Sequence, residues 1–146
     1  MKLLILGGGT AQISAIKKAK EKGHQVIVSD YYEDAPGKQY VDYGETISTF
    51  DIEGNIKVGR KYDIDGVMTT GTDQPVYTAA KVADTLNLPS FLSLQTAKAV
   101  TNKREMKKTF SKHDIPTVNF KILLENFSIN DLRDINFPVV IKPLDS

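Results

Sequence analysis

Leu3-Leu4-Ile5-Leu6-Gly7-Gly8-Gly9-Thr10 is the stretch whose reading decides the fold. Four consecutive apolar residues make a strand buried on both faces, the kind found inside a parallel sheet. Three glycines then allow a tight turn, and Thr10 is placed to cap a helix running to about Lys22. Ile13, Ala15, Ile16 and Ala19 give that helix its apolar face, and Lys17, Lys18, Lys20 and Glu21 its solvated one. Gly23 is the expected C-terminal cap, and Val26-Ile27-Val28 returns as a second strand. Strand, glycine turn, helix and strand within about 28 residues form a right-handed βαβ unit. The expected class is therefore α/β, with a Rossmann-like parallel sheet.

The glycine turn invites a dinucleotide reading, but Gln12 stands where the third fingerprint glycine would be. That glycine allows close helix–strand packing, so a glutamine there argues against tight pyrophosphate docking. Asp30, at the end of the second strand, could bind a ribose; the preferred expectation is that it caps the following loop. Residues 31–43 read as a loop or short helix around the turn Asp34-Ala35-Pro36-Gly37. Thr46 to Ser48 reads as a third strand. Asp51 can cap a helix carrying Ile52 and Ile56, although Gly54 and Gly59 each cost it about 1 kcal/mol. Gly66 to Thr70 is the fourth strand. The turn Gly71-Thr72-Asp73 leads into a helix with Pro75 in its first turn and Val76, Ala79, Ala80, Ala83 and Leu86 on its buried face. Ligands of parallel sheets bind at the carboxyl ends of strands. Gly8, Gly9, Thr72 and Asp73 are accordingly candidate substrate contacts, with helix capping the alternative for the last two.

Composition removes whole classes of function. Nineteen basic and eighteen acidic residues leave a net charge of +1, with no electrostatic footprint for nucleic acid or an anionic membrane. Cysteine is absent, which excludes disulfides, thiolate metal sites and a cysteine nucleophile. His24 and His113 are too few and too far apart for a metal motif, and no metal ligand or catalytic residue is assigned. The apolar run at the start is too short for a signal peptide or a span, so a cytoplasmic protein is expected.

The texture changes after residue 92. Ser93 to Ala99 reads as a short helix, and Asn102 with Glu105 resembles a capping box opening another. Lys103 and Arg104 then sit at the end of the helix where cations are disfavoured, a conflict that an anion such as phosphate would remove. Val118, Phe120, Ile122 and Leu124 alternate as on a strand. Leu132 and Ile135 fall in a short helical segment. Phe137-Pro138-Val139-Val140-Ile141-Lys142-Pro143 reads as a buried strand delivering a lysine at its end, where Pro143 stops the ladder. The expected organisation is a sheet domain over 1–92, linker helices over 93–114 and an incomplete β–α–β piece over 115–146.

Taken together, Leu4-Ile5-Leu6-Gly7-Gly8-Gly9, Thr101-Asn102-Lys103-Arg104-Glu105-Met106-Lys107 and Phe137-Pro138-Val139-Val140-Ile141-Lys142-Pro143 resemble the ATP-grasp superfamily in order and spacing. The resemblance covers the whole chain. Residues up to Pro89 look like a preATP-grasp domain, and the final segment looks like the start of the ATP-grasp small lobe. The ending looks most like carbamoyl-phosphate-synthase-like carboxylate–amine ligases. By position, Lys103 and Lys142 match cations that reach the phosphates of ATP, and Arg104 matches the first if the register slips by one. The resemblance implies activation of a carboxylate as an acyl phosphate, then attack by an amine or ammonia, with ATP and Mg2+ as cofactors. It also implies a homodimer, since preATP-grasp faces often pair, although no apolar patch is identified from the pattern. No glycine follows Gly71. The phosphate-covering loop, the adenine pocket and the metal carboxylates are therefore expected beyond Ser146, and the chain is expected to be an inactive fragment of a longer ligase. The competing expectations are a dinucleotide-binding domain of an oxidoreductase and a non-catalytic small-ligand module.

Overall fold

A computed structural model describes residues 1–90 and 92–144. Its centre is a parallel four-stranded sheet of order β3-β2-β1-β4, with β1 at Lys2–Leu6, β2 at Gln25–Asp30, β3 at Tyr43–Thr46 and β4 at Gly66–Thr69. β1 pairs with β2 from Lys2↔Gln25 to Leu6↔Ser29, and with β4 from Leu3↔Gly66 to Leu6↔Thr69. The apolar run of β1 is explained by its central place, since its side chains alternate between two cores. Leu4 and Leu6 join Ile27, Ile56, Val58, Ile64 and Val82 on one face; Ile5 joins Ile16, Ala19, Val26 and Val28 on the other. Helices α2 (Ile52–Tyr62) and α3 (Pro75–Thr85) supply the first core, and α1 (Ile13–Glu21) the second.

Several local expectations hold. Gly23 takes φ +76 just after α1, and the Asp51 side chain caps α2 by accepting from the Gly54 N–H at 2.9 Å. Pro75 opens α3. The two glycines of α2 are buried, and a Cβ on Gly54 would meet the Asp51 cap and lie 2.8 Å from Ile47 Cγ2. Their propensity cost is thus offset by closer packing.

Others are corrected. Thr10 does not cap with its side chain: a 3-10 turn at Thr10–Gln12 precedes α1, and Gly9 is the capping residue. The third strand lies at Tyr43–Thr46 rather than over 46–48, because pairing with Ile27–Asp30 sets its register. On α3, Thr78 and Val82 are buried as well as Ala80 and Ala83.

Beyond the sheet, α4 (Leu94–Thr101) is capped by the Ser93 side chain and α5 (Lys103–Lys112) by that of Asn102. Over 115–144 the described residues contain no strand, only a 3-10 turn at Ile129–Leu132. The strands expected at 118–124 and 139–141 are therefore not formed, and the latter is not buried. Val118 is 76% exposed, Phe137 74%, Val140 81% and Ile141 89%. Their pattern suits a sheet, yet no described segment pairs with them, and an unpaired strand has no ladder to hold it.

Candidate functional site

Two groups of candidate residues emerge, on different elements. The first lies at the carboxyl edge of the sheet. β1 runs on to β2 and β3 on one side while β4 lies on the other, so the chain reverses direction across the sheet between β1 and β4. Loops leaving two neighbouring parallel strands in opposite directions open a crevice at that point. The β1 loop carries Gly8 and Gly9, and the β4 loop carries Thr72 and Asp73.

Within this crevice the glycines differ. Gly8 is buried; its N–H donates to Asp30 Oδ2 at 2.7 Å, and its carbonyl accepts from the Gly37 N–H at 2.6 Å. Both of its backbone groups are used internally, so Gly8 shapes the turn, while half-buried Gly9 remains at the surface. Asp30 Oδ1 accepts from the Tyr32 N–H at 2.9 Å. Both carboxylate oxygens thus tie loops together, which is the capping role expected for Asp30.

Thr72 and Asp73 are exposed, and their side chains make no hydrogen bond among the described residues. Neither caps α3: the residue preceding that helix is Gln74, without a side-chain cap, and Asp73 contributes only its carbonyl, to the Val76 N–H at 3.2 Å. The capping alternative therefore fails for both side chains. Gly71, with φ +76, packs so closely on the first loop that a Cβ would lie 2.8 Å from Ala11 Cβ. The structure thus places Gly9, Thr72 and Asp73 on neighbouring loops at the carboxyl edge of the sheet. Sequence reading missed Gln12 as part of it: this residue is buried, and its Nε2 donates to the Thr70 carbonyl. The signal was present in its departure from glycine.

The second group gathers at the start of α5. The Lys103 N–H donates to the Leu144 carbonyl at 2.7 Å, which brings the segment carrying Lys142 to the helix start. Asn102 Oδ1 accepts from the Glu105 N–H at 3.1 Å, but the reciprocal half of a capping box is missing because Glu105 Oε1 faces Lys108 Nζ at 3.4 Å. Two of the first helix donors, the Lys103 and Glu105 N–H groups, thus have partners within the chain. The surplus positive charge remains in Lys103, Arg104 and Lys142. Arg104 Nε is buried with no partner among the described residues, at the edge of a cleft of about 470 Å³ lined by Leu123, Leu124, Glu125, Asn126 and Leu144. An unpartnered buried guanidinium nitrogen can take an anionic group such as phosphate, although Glu125 also lines this cleft and neither Lys103 nor Lys142 does. Among the described residues no group of three or more His, Cys, Asp or Glu could hold a metal ion. No described helix is long and apolar enough to cross a membrane.

No family model matches the chain. It is 28% identical, over 99% of its length, to the formate-dependent phosphoribosylglycinamide formyltransferase of Prochlorococcus marinus (strain MIT 9515). It spans about 37% of the length of that curated relative. Among solved structures it resembles N5-carboxyaminoimidazole ribonucleotide synthetase from Thermotoga maritima, with TM-score 0.76 and 25% identity over 99% of this chain and 39% of that one. It also resembles phosphoribosylglycinamide synthetase from Anaerococcus prevotii, with TM-score 0.72 and 26% identity over 94% of this chain and 35% of that one.

Proposed function

We infer that this chain, which matches the N-terminal region of ATP-grasp carboxylate–amine ligases, contributes two half-sites to an ATP-dependent carbon–nitrogen ligase. Gly9, Thr72 and Asp73 would contact the small-molecule substrate at the β1/β4 crevice, with Gly8 setting the turn. Lys103 and Lys142, with Arg104 beside them, would hold the phosphates of ATP as compact positive charges. ATP, when bound, supplies the phosphoryl group that activates a carboxylate for attack by an amine or ammonia. The residues of this chain bind and orient; no proton transfer or nucleophile is assigned to them. No magnesium ligand is assigned among the described residues.

The observation that supports the reading is the Lys103 N–H to Leu144 carbonyl hydrogen bond, which brings the backbone two residues after Lys142 to the helix start that carries Lys103 and Arg104. The names of the relatives favour a phosphoribosyl-amine substrate and a small acid such as formate over a carbamoyl-phosphate-synthase-like reaction. A cytoplasmic setting, a division near residues 92 and 114, and a homodimer belong to the same proposal. The test is ADP formation by the natural full-length protein given ATP, formate and phosphoribosylglycinamide. Lys103→Ala and Lys142→Ala should each raise KM for ATP about tenfold or more, the loss of one charge-assisted hydrogen bond. ATP affinity unchanged in both variants would contradict the assignment.

The dinucleotide reading loses its two supports. Asp30 has both oxygens engaged by backbone N–H groups, and the Gln12 side chain fills the glycine turn.

A further inference from the structure

Gln12 is only 4% exposed, yet it lies at the mouth of a sheet crevice rather than in either apolar core. Three positions without side chains surround its amide. A Cβ on Gly7 would lie 3.2 Å from Gln12 Cδ, one on Gly9 3.1 Å from Oε1, and one on Gly71 3.4 Å from Nε2. Gly7 and Gly71 take φ of +101 and +76, backbone that a side-chain-bearing residue would adopt only under strain. Nε2 donates to the Thr70 carbonyl, the one hydrogen bond of this side chain among the described residues. The turn that resembles a phosphate cradle is therefore occupied by the chain's own amide.

We propose that Gln12 is a positioning residue for the crevice: its amide ties the Gly7–Thr10 turn to the Thr70–Asp73 turn and sets the distance between them. The inference rests on the reading of that crevice as a substrate site. Thr70 is the last residue before the left-handed Gly71, and Thr72 and Asp73 follow directly. Fixing the Thr70 carbonyl thus fixes the point from which both contact residues depart. Their own side chains make no described hydrogen bond that would hold them instead. The strand end itself is secured separately, by Thr69 Oγ1 donating to the Leu6 carbonyl at 3.0 Å. Length and donor are both required. Asparagine is one methylene short, methionine fills the space without a donor, and glutamate sets an anion against a carbonyl.

The experiment compares the wild type with Gln12→Met, and with Gln12→Glu should methionine disturb the packing. Backbone 15N order parameters are read at Gly71 to Gln74 and at core residues Leu4, Ile5 and Ile27, alongside titration with phosphoribosylglycinamide. A positioning role predicts that order at Gly71 to Gln74 falls from the rigid range of about 0.85 toward about 0.6 while the core residues keep theirs. It also predicts binding of the probe weaker by about tenfold, as expected for losing one hydrogen bond locally. Unchanged order over Gly71 to Gln74 in a folded variant, or a loss there only in step with Leu4 and Ile27, overturns the inference. Failure of the wild type to bind the probe overturns the substrate reading instead, and the order parameters distinguish the two.

Discussion

Asp30 shows how one side chain can decide between two functions. Placed at the end of β2, a carboxylate with free oxygens would suit a ribose; here it accepts from the Gly8 and Tyr32 N–H groups and holds two loops together. Asp30→Ala should therefore lower stability by about 1–3 kcal/mol, since two backbone donors lose their acceptor, as measured by denaturant unfolding. Gly37 is a second such residue. A Cβ there would lie 2.7 Å from the Gly8 carbonyl oxygen and from Ile16 Cδ1, so the loop after β2 and the glycine turn touch backbone to backbone. The Gly8 oxygen cannot swing aside as a side chain could. Gly37→Ala should cost about 1–3 kcal/mol by overpacking, seen as a lower Tm with an unchanged far-UV spectrum.

At the scale of elements, charged latches hold the edges of the sheet. Asp42 accepts from Lys20 Nζ at 2.6 Å and from the Val26 N–H at 2.7 Å, joining α1 and β2 to the segment entering β3. The Lys20 hydrogen bond holds the Asp42 carboxyl below its ordinary range. Glu45 on β3 is held low in the same way by Lys61 and then Tyr62 of α2, at 2.7 and 2.6 Å. A carboxyl depressed by folding contributes stability that is fully present above its unfolded value. That contribution is lost as pH falls through the folded value. Unfolding free energy should accordingly be level from neutral to about pH 5 and decline below about pH 4. Asp42→Asn should cost about 1 kcal/mol at pH 7, discounted because Lys20 is partly solvated, and should flatten the acid decline. Denaturant unfolding of both proteins at pH 7 and pH 3 checks the sign. A decline equally steep in the variant would remove Asp42 from the account.

At the scale of the whole molecule, the parallel sheet was legible because its signals are local and mutually consistent. The apolar run of β1, Gly23 after α1, Asp51 before α2 and Pro75 opening α3 each follow from short-range chemistry, and all four agree. The crevice was half legible. Topology points to the β1 and β4 loops, but no pattern reveals that Gly8 spends both backbone groups internally or that Gln12 fills the turn, because these are contacts between distant segments. Residues 115–144 were least legible. Alternation at Val118, Phe120, Ile122 and Leu124 records a preference for one buried face, whereas a strand also needs a partner, and none of the described segments supplies it. Of these residues, Val118, Phe120 and Leu124 stay exposed.

We propose that the carboxyl edge of the sheet between β1 and β4 takes a phosphoribosyl-amine substrate rather than a dinucleotide. Backbone amide chemical shifts of the protein titrated with phosphoribosylglycinamide, and separately with NAD(H), test it most directly. The account predicts saturable shifts at Gly9, Thr72 and Asp73 with the first ligand and none with the second. Shifts at Gly7 to Gly9 and Asp30 with NAD(H), and silence with phosphoribosylglycinamide, would contradict it.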